Sequence, residues 1–120
     1  VVQFLMTSEG VPLAYSSADP DVVKAVQAEH GRERAAESVE RFFQSVAAEL
    51  VAAGVGGIIS AGGETSGAVV LGTHATELEI GPEIDPGVPA LRAGPDLVLT
   101  LKSGNFGAPD FFAKAAAVLT

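Results

Sequence analysis

Gly56-Gly57-Ile58-Ile59-Ser60-Ala61-Gly62-Gly63-Glu64-Thr65-Ser66-Gly67-Ala68-Val69-Val70-Leu71 is the stretch that decides the fold. Its opening, residues 56–60, reads as a short buried strand. The glycine-rich turn of residues 62–67 follows, and residues 66–71 read as the first turns of a short helix whose small side chains allow close packing on a sheet. Strand, glycine turn and helix in that order aim successive backbone N–H groups at an anion. Glycine supplies the unusual backbone angles and lets a ligand approach closely. Thr65 and Ser66 add hydroxyl donors. Glu64 is a poor direct phosphate ligand, because like charges repel; it suits a magnesium ion, a ligand hydroxyl or a brace within the turn. A plain tight turn with a helix cap has the same signature. The turn is not a P-loop, since Gly-x-x-x-x-Gly-Lys-Ser/Thr occurs nowhere, and it does not match Gly-x-Gly-x-x-Gly, which disfavours a Rossmann-type oxidoreductase.

Upstream, residues 1–9 read as the end of a helix closed by Gly10, and residues 11–16 as a short strand with Pro12 near its start. Asp19 is placed to cap a helix that begins at Pro20. The pattern stays helical to about Ala53, with a break at Gly31. Val39, Phe42, Phe43, Val46 and Leu50 recur at spacings of three and four and share one face, so both phenylalanines are expected in the core.

Downstream, residues 77–80 alternate like a strand. Residues 81–89 are too rich in Gly and Pro for regular structure and read as a rigid connector, although Glu83 and Asp85 could also hold magnesium through water. Residues 97–102 form the clearest strand. A tight loop over residues 103–107 leads to a last helix over residues 110–119, with Asp110 near its positive end. Lys102 stands at a strand end, where ligands of open α/β sheets bind, and either approaches a phosphate or is simply solvated. Helices alternating with short apolar strands predict an α/β domain, layered α/β/α around a mostly parallel sheet, in which the last two strands could pair antiparallel.

The chain has 120 residues, 48% hydrophobic and 18% charged, which suits one globular domain. It has no cysteine, so disulfides and thiolate metal sites are excluded. The net charge of -8, with seven dispersed Lys and Arg, argues against a nucleic-acid partner. No apolar run reaches the roughly 18 residues of a membrane span, and the apolar start lacks the basic flank of a signal peptide. Lacking an initiator methionine, the chain is expected to begin inside a larger protein or to have been trimmed. His30 and His74 have no metal-ligand spacing and read as surface or helix-end residues. Ser60, Ser66 or Ser103 with His74 would be a weak hydrolase set, since none sits in Gly-x-Ser-x-Gly.

Three segments together carry a resemblance: AGGETSG at residues 61–67, IGPEIDPGVP at 80–89, and LKSGNFG at 101–107 followed by DFF at 110–112. In this order and spacing they resemble the nucleotide-binding C-terminal domain of the four-carbon acid sugar kinase family. Residues 15–20 (YSSADP) and the long helical stretch fit the same likeness, which covers nearly all of the chain. It implies that residues 1–120 are part of the C-terminal domain of a two-domain, cytoplasmic kinase that moves a phosphoryl group from ATP to threonate, erythronate or a 3-oxo-tetronate. It further implies that Gly62, Gly63, Glu64 and Thr65 contact ATP, that Gly104 or Gly107 lines the same pocket, and that Ser66 and Lys102 belong to the cofactor-binding set. Magnesium is expected with ATP, with no dedicated protein metal site. The sugar acid would be held by an N-terminal domain absent from this chain, so the chain alone is expected to be inactive, and no catalytic residue is assigned. A homo-oligomer stays open. The sequence departs from the family at Ala90-Leu91, where an aromatic is expected, and over residues 70–74 (VLGTH). The competing reading is a non-catalytic binding or effector-type interaction domain.

Overall fold

The computed structural model describes residues 1–16, 20–104 and 106–119. The expected cap at Asp19, and Asn105 of the expected loop, lie outside the described residues. Five helices and four strands follow in order: α1 (Val2–Thr7), α2 (Pro20–His30), α3 (Arg32–Ala52), β1 (Gly57–Ala61), α4 (Gly63–Thr73), β2 (Glu79–Asp85), β3 (Val88–Gly94), β4 (Leu97–Lys102) and α5 (Phe111–Leu119), counted among the described residues. Pro20 opens α2, where its missing N–H costs nothing. Gly31 at φ 82° separates α2 from α3, and Gly54 at φ 90° follows the end of α3.

The sheet runs β1-β4-β3-β2. The α/β class is as expected, but parallel pairing is confined to β1 and β4; β3 is antiparallel to both β4 and β2. The cause is connection length. Only residues 86–87 join β2 to β3, and only residues 95–96 join β3 to β4. Parallel neighbours need a crossover of about a dozen residues or more.

Residues 81–89 are therefore a hairpin rather than an irregular connector. Pro82 is tolerated because β2 is an edge strand whose register shifts between Ile80 and Glu83. Pro89 precedes the β4 ladder, which begins at Ala90. Pro86 and Gly87, the latter at φ 81°, supply the turn. Residues 11–16, by contrast, form no strand. They are mostly exposed, without a strand partner among the described residues.

Opposite sheet faces carry different helices. Ile59 packs with Phe111 and Ala115 of α5, and Ser60 meets Ser66 of α4. Successive strand residues point to opposite faces, so α4 and α5 cover the two sides and the α/β/α layering holds. The α5 side holds a core of Val88, Phe111 and Ala115, flanked by Ile59 and Ile84. On the other side α3 packs on α4, burying Phe43, Ala47 and Leu50 from α3 and Ala68, Val69 and Gly72 from α4. The phenylalanine pair divides: Phe43 is 8% exposed and Phe42 43%, its ring edge-on to Phe43 at 5.2 Å. A helix presents one stripe to its neighbour, and adjacent residues about 100° apart cannot both occupy its centre.

Candidate functional site

The glycine-rich segment is a helix start rather than a loop. Gly62 alone bridges β1 and α4, and Gly63 is already helical. Gly62 holds φ 102°, which an L side chain rarely adopts. Its N–H donates to the Lys102 carbonyl at 2.7 Å, tying the start of α4 to the end of β4. The first helical bond runs from the Ser66 N–H to the Gly62 carbonyl at 2.9 Å. The N–H groups of Gly63, Glu64 and Thr65 precede it, so they have no partner within the helix, and no side chain caps this end. Gly63 and Glu64 are exposed and Thr65 half-buried.

These amides open at a particular place in the fold. β1 and β4 are adjacent and parallel, yet the chain leaves β1 for α4 on one face and β4 for α5 on the other. Such a divergence leaves a crevice beyond the carboxyl ends of the strands, the usual ligand position in open α/β sheets. The helix macrodipole adds partial positive charge there.

The structure brings the second glycine segment to the same crevice. A Cβ on Gly63 would lie 3.7 Å from Ser103 Oγ. The Lys102 ammonium donates to the Gly104 carbonyl at 2.7 Å, so this cation is folded onto its own loop. Gly104 and Gly107 both have positive φ, and a Cβ on Gly107 would meet Lys102 Cε at 3.1 Å and Phe111 Cβ at 3.4 Å. Gly62, Gly63, Glu64, Thr65, Lys102, Gly104 and Gly107 thus converge. Ser66 does not face the crevice with them. It is buried, and its hydroxyl donates to Ser60 Oγ at 3.1 Å, fastening α4 to β1.

Glu83 and Asp85 do not form a magnesium site. Asp85 is 6% exposed, and its two oxygens are taken: Oδ1 by the Lys114 ammonium at 2.6 Å and Oδ2 by the Ala108 N–H at 3.0 Å. Glu83 accepts the Gly87 N–H at 3.3 Å and closes the hairpin turn. Lys114 also reaches Asp110 at 3.3 Å. No sequence pattern points to the Asp85–Lys114 pair, because a separation of 29 residues carries no periodic signal. His30 ends α2, and His74 ends α4 in the left-handed region at φ 58°.

The Lys114 hydrogen bond, helped by the Ala108 N–H, holds the Asp85 carboxyl below its ordinary value of 3.8, against an opposing push from burial. A carboxyl depressed in the folded state contributes stability that is complete above its ordinary value and is lost as pH falls through the folded value. Thermal melts from neutral pH downward are expected to show the melting temperature falling below about pH 4, with a shallower fall in Asp85→Asn. Parallel acid profiles for the two proteins would contradict that assignment.

Two surface hollows among the described residues lie elsewhere. One is lined by Gly31, Arg32, Glu33, Arg34 and Glu37, the other by Arg41, Gln44, Ser45, Ala48, Gly72 and His74. The first lies at the start of α3, which like that of α4 has no side-chain cap, but both open between helix residues and neither is lined by a strand end. The crevice joins an uncapped helix start to the carboxyl ends of β1 and β4, so it is the better candidate.

Residues 1–112 match a family model described as a nucleotide-binding C-terminal domain. The chain is 56% identical over 106 residues to a 3-oxo-tetronate kinase of Cupriavidus necator, covering 86% of this chain and 24% of that protein. It is 48% identical over 114 residues to a 3-oxo-tetronate kinase of Pseudomonas fluorescens, covering 93% of this chain and 26% of that one. The crystal structure of Haemophilus influenzae protein HI1011 superposes with a TM-score of 0.87 at 41% identity, over 99% of this chain and 30% of that one. The chain therefore spans about a quarter of the length of the curated relatives it matches.

Proposed function

This chain belongs to the family of nucleotide-binding C-terminal domains, and from that premise we propose that it is the ATP-binding part of a kinase acting on a four-carbon sugar acid. The observation that carries the reading is the helix start at residues 63–65, uncapped by any side chain among the described residues and placed where β1 and β4 send the chain to opposite faces. Three backbone donors with no side-chain cap fit a polyphosphate. Gly62 sets the angle of the helix start, and Gly63 leaves its outer side open to the ligand. Gly104 and Gly107 form the facing wall. Lys102 supplies the local positive charge that an acidic chain otherwise lacks, once its ammonium turns from the Gly104 carbonyl. Glu64 suits a ligand hydroxyl or the magnesium carried by the nucleotide. Ser66 acts through Ser60, holding the helix in place.

ATP supplies the phosphoryl group, and transfer of this kind depends mainly on positioning and charge stabilisation. The residues of this chain bind and orient the donor. The relatives' name points to a 3-oxo-tetronate as acceptor, presented by the rest of the protein, and a cytoplasmic setting goes with that chemistry. No group of three or more His, Asp or Glu side chains that could hold a metal occurs among the described residues. No helix among the described residues is long and apolar enough to cross a membrane.

Calorimetric titration with Mg-ATP tests the reading. Saturable binding is expected, weakened at least about tenfold in Gly63→Val, a loss of about 1.4 kcal/mol or more. The chain alone is expected to form no phosphorylated acid. A chain that shows no Mg-ATP saturation, alone or joined to a kinase half, would point to a non-catalytic interaction domain.

A further inference from the structure

The β4–α5 connection forms one wall of the crevice, yet its own residues do little to fix it. Gly104 and Gly107 have positive φ, and glycine gives a chain more conformational freedom than any other residue. Its internal backbone bond is Phe106 N–H to Ser103 carbonyl at 3.1 Å. From outside it, the Phe111 N–H of α5 donates to the Ala108 carbonyl at 3.0 Å, and further restraints come from the β2–β3 hairpin. Asp85 Oδ2 accepts the Ala108 N–H. The Phe106 ring lies against Gly87, where a Cβ would come within 2.8 Å of it. Asp85 is in turn held by Lys114 on α5. One buried carboxylate therefore joins the hairpin, the connection and the last helix. A buried charge stays paired, because leaving its partner unpaired is costly.

We propose that Asp85, clamped by Lys114, is a positioning residue for the crevice: it fixes the β4–α5 connection opposite the start of α4. Asp85 touches no part of the amide row itself, so it acts only through the Ala108 backbone. The proposal rests on the ATP reading for its consequence, and on geometry alone for the tether.

Amide hydrogen exchange on this chain, paired with Mg-ATP titration of the same variants, tests both. In Asp85→Asn, exchange at Gly107 and Ala108 is expected to rise at least tenfold while Leu99 and Leu101 of β4 keep their protection. The Mg-ATP dissociation constant is expected to rise about tenfold in parallel. Lys114→Arg, which keeps the charge beside Asp85, is expected to leave both readouts near wild type, whereas Lys114→Gln raises both. If Asp85→Asn does not fold, Lys114→Gln reads the same tether. Leu50→Ala, a core change on α3, serves as the control for general loss of stability. Unchanged exchange at Gly107 and Ala108 would overturn the proposal. So would a rise shared equally by β4, or an equal rise in Leu50→Ala. A wild-type chain that binds no Mg-ATP would count against the nucleotide reading, while the exchange data would still decide the tether.

Discussion

Phe111→Ala is expected to lower the unfolding free energy by about 3–5 kcal/mol, the usual loss for a buried phenylalanine cut to alanine. Phe111 is 1% exposed and sits at the centre of the core that Val88, Ala115, Ile59 and Ile84 complete. These partners come from β1, the hairpin and α5 itself, so no single element can slide in to fill the space. Domains of this size are stable by only about 5–15 kcal/mol, so the loss removes a large share of the total. The same ring roots the crevice wall: the Phe111 N–H donates to the Ala108 carbonyl at 3.0 Å, and its Cβ borders Gly107. Urea denaturation is the measurement. A fall in midpoint equivalent to less than about 1 kcal/mol would mean that the site collapses around the missing ring, contrary to this packing.

Gly72→Ala sets two effects of known size against each other. Alanine is the better helix former by about 0.8–1.0 kcal/mol, and Gly72 lies inside α4. However, a Cβ at this position would sit 2.3 Å from the Gln44 carbonyl oxygen and 2.9 Å from Ala47 Cβ. Gln44 O belongs to the α3 backbone and cannot rotate aside, so the two helices must part along their main contact. Overpacking costs typically about 1–3 kcal/mol and occasionally more. At so close an approach the upper end applies, and a net destabilisation of about 2 kcal/mol is expected. Gly67→Ala in the same helix meets nothing within 4 Å, so propensity should win there and stabilise by about 0.5–1 kcal/mol. Melting temperatures that moved the same way in both variants would contradict the close α3–α4 contact.

Those two residues also show what could be read from sequence. The small residues of α4 were expected to permit close packing, but towards a sheet; the tightest approach is to α3. Nothing in a one-dimensional pattern says which neighbour a glycine faces. The α3 stripe was legible because period and burial coincide, although Phe42 fell off its edge. Strands β1 and β4 were legible as apolar runs bounded by glycine or a polar turn. β2 was legible only at its start, residues 79–80, and β3 was not, because Gly81, Pro82, Pro86, Gly87 and Pro89 resemble a connector until register shifts and an edge position accommodate them. Residues 11–16 had strand composition, but pairing requires a partner that composition does not reveal.

The candidate site was legible in its parts. The glycine turn and Lys102 could be found by strand–turn–helix logic, and the crevice follows once β1 and β4 are adjacent and parallel. A hydroxyl in a helix's first turn can face the ligand or the strand, and only the fold shows that the Ser66 hydroxyl is bonded to Ser60. For Asp85 the sequence leaves magnesium open beside the favoured connector role, and only the fold shows Lys114 and Ala108 occupying its carboxylate.

The central claim is that nucleotide phosphates sit on the α4 start, between the ends of β1 and β4. Titrating the isotope-labelled chain with Mg-ATP and following each backbone amide tests it most directly. The largest saturable shifts are predicted at Gly63, Glu64 and Thr65, with smaller ones at Gly104 and Gly107. Shifts centred instead on the α3 hollow around Arg32 and Glu37, or none at millimolar nucleotide, would contradict it.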